Sequence, residues 1–231
     1  MRRRNLRGVA VIEFAFAMLF LVPMLVGTIG IGLNLVQHLR TVQLARDVGY
    51  MYARQVDFTQ TANQTVAVGL GASLGMTASA STSNAVLILS TVTYVDSAMC
   101  QSDNKWNTTT NTSNGCTNYQ KWVFSQRIVI GDPTVRSSSF GSPITTGSNP
   151  VAIASSGSIA LDAQVTNSGD VAAYLTTAGV NTFAGINPYQ SASGNISGLP
   201  SGQVVYVAEA ASRGFTMPPF SVPVRYSYNL F

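Results

Sequence analysis

Charge is scarce in this chain. Only 10% of its 231 residues are Asp, Glu, Lys or Arg, against roughly 25% in an ordinary soluble domain. Ser, Thr, Asn, Gln, Gly and Ala fill the deficit. Such a surface suits an exported or self-assembling protein better than a cytosolic enzyme. Histidine is nearly absent: His38 is the only one, so a Ser/His/Asp triad is hard to assemble. Cysteine occurs twice, at Cys100 and Cys116, with a polar loop between them and His38 far away in sequence. A zinc site of ordinary composition is therefore disfavoured, and a disulfide in an oxidising compartment is expected. The P-loop and dinucleotide fingerprints are missing, and the acids are scattered. The chain is expected to be no enzyme and to carry neither cofactor nor metal.

A net charge of +4 could suggest nucleic-acid binding, but its distribution argues otherwise. Of thirteen basic residues, Arg2, Arg3, Arg4 and Arg7 stand before Gly8, and the remaining nine balance nine acids. The basic character belongs to an N-terminal tag, and no nucleic-acid partner is expected.

What is present in excess is a long apolar run. FAFAMLFLVPMLVGTIGIGL, Phe14 to Leu33, has twenty residues without a charge. As a helix it spans about 30 Å, the hydrocarbon thickness of a bilayer. The arginines before it predict a cytoplasmic N-terminus, with everything after His38 outside. A cleaved secretory signal fits less well. The run is longer than a usual h-region, and it flows into Asn34, Gln37 and Arg40 still in helical pattern. An uncleaved signal anchor carrying a β-rich adhesive or scaffolding domain is the alternative that fits everything except one stretch.

That stretch is RGVAVIEF, Arg7 to Phe14. Glu13 stands at the mouth of the apolar run, although an acid at the centre of a membrane helix costs about 2.5–3.5 kcal/mol even on lenient scales. A basic leader ending in Gly8, then VAVI, then Glu13 and Phe14, then an apolar helix, resembles the class III signal of type IV pilins and pseudopilins. The run from Arg7 to Gly32 looks like the TadE-like minor pilins of tight-adherence (Flp-type) pilus systems. ARDVGYMYARQVDF, Ala45 to Phe58, is similar to that family's helix continuation. The resemblance covers about the first sixty residues.

It implies a prepilin peptidase that cuts between Gly8 and Val9 and leaves Glu13 as the fifth mature residue. It also implies insertion in a bacterial inner membrane, with other pilin subunits, the pilus assembly machinery and membrane lipid as partners. The physical logic is coherent. The cut creates an α-amino group at Val9 near the membrane surface, and in a helical bundle that amine can pair with Glu13 of a neighbour. The simpler reading is that Glu13 snorkels to the headgroups.

Pro23 inside the apolar run predicts a kinked or loosened helix, which membrane helices tolerate. Gly27, Gly30 and Gly32 permit close helix approach. From Leu35 the pattern turns amphipathic: Leu35, Leu39, Val42, Ala45, Gly49, Tyr52 and Val56 recur at three- and four-residue steps. One long helix from about Val9 to Asp57 is expected, its second half burying one face on a C-terminal sheet. His38 reads as a polar interface residue. The organisation is a leader (1–8), a membrane helix (9–36), its amphipathic continuation (37–58) and an extracytoplasmic α+β domain (59–231).

In that domain, Thr59 to Leu74 holds a short helix weakened by glycines, and Thr77 to Asn84 reads as a linker. AVLILSTVTYVD and KWVFSQRIVIGD, on either side of the cysteine loop, predict an antiparallel hairpin. Trp122, Phe124, Ile128 and Ile130 are expected on one face of its second strand. Pro133 to Gln203 is expected to be mostly surface loops, with a weak strand at SIALDAQVTN and a short helix at DVAAYLTTAG. QVVYVAEAA and VPVRYSYNLF predict two further strands, the latter with Pro223 at its start or on an edge. The fold class is α+β, a long N-terminal helix packed on a small antiparallel sheet.

Overall fold

The computed structural model describes residues 7–146, 150–167, 204–214 and 224–231, with side chains from Val11 onward. The first element, α1 (Arg7–Ala53), is a single helix of 47 residues. It continues through Pro23, whose missing N–H leaves the carbonyl of Leu19 without its intrahelical partner. The expected end at Asp57 is a little late. Gln55 takes a left-handed backbone, φ 63°. Its N–H bonds to the carbonyl of Tyr52 at 2.9 Å, and that of Val56 to the carbonyl of Met51 at 3.1 Å. Those two bonds form a Schellman C-cap, which satisfies the last carbonyls and turns the chain back.

A second helix, α2 (Thr61–Gly71), and a 3₁₀ turn (Ala72–Leu74) follow where a glycine-weakened helix was expected. Next come β1 (Ala85–Tyr94) and α3 (Ser97–Ser102), which Asp96 caps by accepting from Met99 N at 2.8 Å. A minimal hairpin of β2 (Trp106–Asn107) and β3 (Thr112–Ser113) leads into β4 (Trp122–Gly131). Then come α4 (Leu161–Thr166), β5 (Val204–Ser212) and β6 (Arg225–Leu230). The expected helix at DVAAYLTTAG and Pro223 lie outside the described residues. SIALDAQVTN is not a strand: Ser158 and Ile159 make isolated bridges only, and the chain then coils into α4.

The sheet has the order β4-β1-β5-β6, and every neighbouring pair is antiparallel. β1 is buried along its whole length, because both faces of the sheet are covered. On one face lies α1, whose Leu44, Ala45, Val48 and Tyr52 pack with Leu87, Leu89, Ile128, Ile130 and Ala208. On the other, Phe140, Val151, Ile159 and Ala163 cover Val92, Tyr94, Phe124 and Val207. The Ser- and Gly-rich region thus supplies part of a core instead of surface loops alone.

Two details of the expected pattern fail for identifiable reasons. Thr91 pairs with Gln126 but Val92 with Phe124, so Ser125 is the extra residue of a β-bulge. The bulge reverses the alternation: Ile128 and Ile130 face α1, while Trp122 and Phe124 face away. The buried stripe of α1 also begins only at Thr41, leaving Leu35 and Leu39 more than half exposed. The sheet does reach this stretch, since Arg225 at the start of β6 bonds Asn34 and Gln37; the helix face that meets it carries Asn34, Gln37 and Thr41, and Leu35 and Leu39 lie off that face.

Candidate membrane and assembly helix

Two contrasting halves make up α1. From Thr41 onward it is bolted to the sheet. Thr41 shares a hydrogen bond with Ser212 at 3.0 Å, and Tyr52 Oη meets Thr91 Oγ1 at 2.6 Å and donates to Gln126 Oε1 at 2.9 Å. Gly49 lets the layers close: a Cβ there would lie 2.4 Å from the Phe231 ring and 3.0 Å from the Ala208 methyl. Arg225 ties the lower end, donating to the carbonyl of Asn34 at 3.1 Å, to Gln37 Oε1 at 2.9 Å and to Asn34 Oδ1. Burial lowers the pKa of the Arg225 guanidinium.

From Val11 to Leu25 the helix stands clear of the described part of the domain. Every large apolar side chain from Val11 to Leu25 is exposed, although exposed contiguous apolar surface of that extent calls for a lipid or protein partner. From Val11 the helix is long and apolar enough to cross a membrane, as an anchor or a signal sequence. Beta-carbons built at Gly27 and Gly32 would meet nothing within 4 Å. The close approach that those glycines permit is therefore not used among the described residues.

The residues singled out in the sequence fall on this free half. Gly8 and Val9 lie in the first turn of α1, where N–H groups have no intrahelical acceptor and the helix frays readily. Glu13 and Phe14 follow about one turn later, both exposed. Glu13 has no hydrogen-bond or ion-pair partner among the described residues. His38 is exposed just beyond the apolar run. At the other end of the molecule, Cys100 and Cys116 are joined in a disulfide and packed with Val95, Val123 and Val165.

Known family models, curated proteins and solved structures give no match to this chain. The architecture itself is pilin-like: a long apolar N-terminal helix packed by its second half on a four-stranded antiparallel sheet.

One polar cluster went unnoticed in the sequence. Glu209, on the sheet face away from α1, is 1% exposed. Its carboxylate accepts from Ser139 N at 2.7 Å, from Tyr226 Oη at 2.6 Å and from Ser138 Oγ. Arg127 Nη1 stands 3.7 Å away. Burial pulls the Arg127 guanidinium down to about 10, against the opposing pull of Glu209. Burial first, and then the charge of Glu209, pushes the Tyr226 phenol well above the ordinary tyrosine value. A lone acid inside VVYVAEAA was the available signal. The carboxylate is fully engaged and enclosed, so its work is to fasten the loop around Ser138 to the sheet.

Proposed function

We propose that this chain is a TadE-like minor pilin or pseudopilin, a structural and non-enzymatic component of a tight-adherence pilus. A prepilin peptidase removes the leader after Gly8. The apolar half of α1 holds the protein in the inner membrane and then packs against the helices of other pilin subunits.

The observation that carries the reading is a juxtaposition. RGVAVIEF heads a helix whose first half stands clear of the domain among the described residues and whose second half is fixed to a sheet. A helix needed only as an anchor has no use for an acid at its mouth. An assembly helix does: the amine freed at Val9 and the carboxylate of Glu13 attract strongly where water is scarce. Part of that attraction only offsets desolvation, so the pair sets register more than it adds affinity.

The test is Glu13→Gln, which keeps shape and loses charge, beside Glu13→Ala, which eases insertion. Both variants are expected to insert and to expose their domain outside. Both are expected to lose cross-linking to pilin partners and to lose piliation. Assembly at the wild-type level would reduce Glu13 to a tolerated interfacial acid and favour a signal-anchored envelope protein.

A further inference from the structure

At the end of α1 away from the apolar run, an open groove of about 400 Å³ lies between the helix C-cap and the bulged part of the sheet. It sits roughly 28 Å along the helix axis from Leu33, clear of a bilayer that holds the apolar run. We propose that this groove binds a small neutral saccharide. The inference does not rest on the pilin reading, since a signal-anchored protein would present the groove equally well.

The lining selects the ligand class. None of its residues is Lys, Arg or His, so phosphate, sulfate and carboxylate groups find no counter-charge. Six polar side chains in the lining (Gln55, Asp57, Thr91, Ser125, Gln126 and Ser158) and an open mouth suit an acyl chain poorly. What remains is the usual equipment for hydroxyl-rich rings: an aromatic face, amides and hydroxyls. Tyr206 is half-buried, packs edge-on against Tyr52 with centroids 5.3 Å apart, and keeps its hydroxyl without a partner among the described residues. Tyr52 is locked in place by its bonds to Thr91 and Gln126, which makes the wall rigid. The Gln126 amide spends one N–H on the Ser156 carbonyl at 3.1 Å and has a second to give. Asp57 accepts from Thr59 N at 2.9 Å and from Gln60 at 3.3 Å, and its carboxylate retains further acceptor capacity.

Two backbone irregularities converge on the same groove. One is the bulge at Ser125, a device that re-aims side chains beside sites. The other is Gln55, held at φ 63°, where glycine would sit without strain. Gln55 is exposed and its side chain has no partner among the described residues. The cap itself serves the fold, but glycine would make it without strain, so a long amide kept at the rim of a groove fits a ligand contact.

The experiment uses the full chain in detergent micelles. It combines an array of immobilised neutral and acidic oligosaccharides with saturation-transfer NMR on free lactose, maltose and cellobiose. Neutral saccharides are expected to bind. Tyr206→Ala is expected to abolish binding, and Gln55→Gly to weaken it about fivefold, the effect of one ordinary hydrogen bond. Because Gln55→Gly relieves strain, its Tm should rise while its affinity falls, and a structural role alone would not produce that opposition. Tyr206→Phe keeps the ring and the fold if the alanine variant unfolds, and it should bind more weakly than wild type. No saccharide binding, binding confined to acidic glycans or to peptides, or binding unchanged in Gln55→Gly and Tyr206→Phe would each overturn the proposal.

Discussion

At the scale of single residues, the chain places its few charges with care. Glu209 and Arg127 are both buried, and each would be costly alone. Glu209→Ala removes the acceptor of three hydrogen bonds and leaves Arg127 enclosed without its counter-ion. Breaking such a pair from one side typically costs about 3–5 kcal/mol, to be read from urea unfolding of the chain in detergent. Loss below about 1 kcal/mol would show that water replaces the carboxylate. The raised pKa of Tyr226 carries a pH signature. Its folded state holds the phenolic proton more tightly than the unfolded chain, so that contribution is complete below the ordinary tyrosine value of about 10 and is lost as pH rises beyond it. Wild-type stability should therefore fall more steeply above pH 10 than that of Tyr226→Phe. Parallel pH profiles for the two proteins would contradict the assignment. Neither Glu209 nor Arg127 was legible as part of a network beforehand, because the partners come from two separate segments of sequence, Ser138–Ser139 and Tyr226.

At the scale of elements, the strands and the long helix were legible because their local chemistry and their environment agree. AVLILSTVTY is apolar and β-branched, and both of its faces are covered. Two features escaped the sequence pattern because they depend on what a neighbour touches. The bulge at Ser125 arises from the pairing with β1, and the exposure of Leu35 and Leu39 from which face of α1 the sheet takes. The glycines of α1 divide along the same line. Gly49→Val forces a side chain against Phe231 and Ala208, and overpacking of this kind costs about 1–3 kcal/mol. Phe231→Ala in the same chain should recover part of that loss in a double-mutant cycle, whereas strict additivity would mean that the two do not touch. A Cβ at Gly27 meets nothing within 4 Å among the described residues, so Gly27→Leu should not weaken the folded domain. On the proposed reading it should impair packing between α1 helices of neighbouring subunits, seen as reduced cross-linking within the membrane. The disulfide between Cys100 and Cys116 closes a short loop worth on the order of 3 kcal/mol in the loop-entropy model. Reduction should lower Tm accordingly, with the change concentrated around α3 and the β2–β3 hairpin in hydrogen exchange.

At the scale of the whole molecule, the structure separates what needs a partner from what does not. The sheet, the second half of α1 and the loops beyond β4 bury one another. Among the described residues, the first half of α1 leaves its apolar side chains exposed and Glu13 without a partner, and on the proposed reading a neighbouring subunit supplies what is missing. Lipid alone satisfies the apolar surface, while a neighbouring helix with a free amine satisfies Glu13 as well. The central claim is that this amine is made by cutting the leader, and the N-terminal residue of the protein purified from its own membrane tests it directly. A chain that begins at Val9 is expected, and an uncut chain when Gly8→Leu is expressed in the same cells. An intact N-terminus ahead of Gly8, in cells with an active prepilin peptidase, would contradict it.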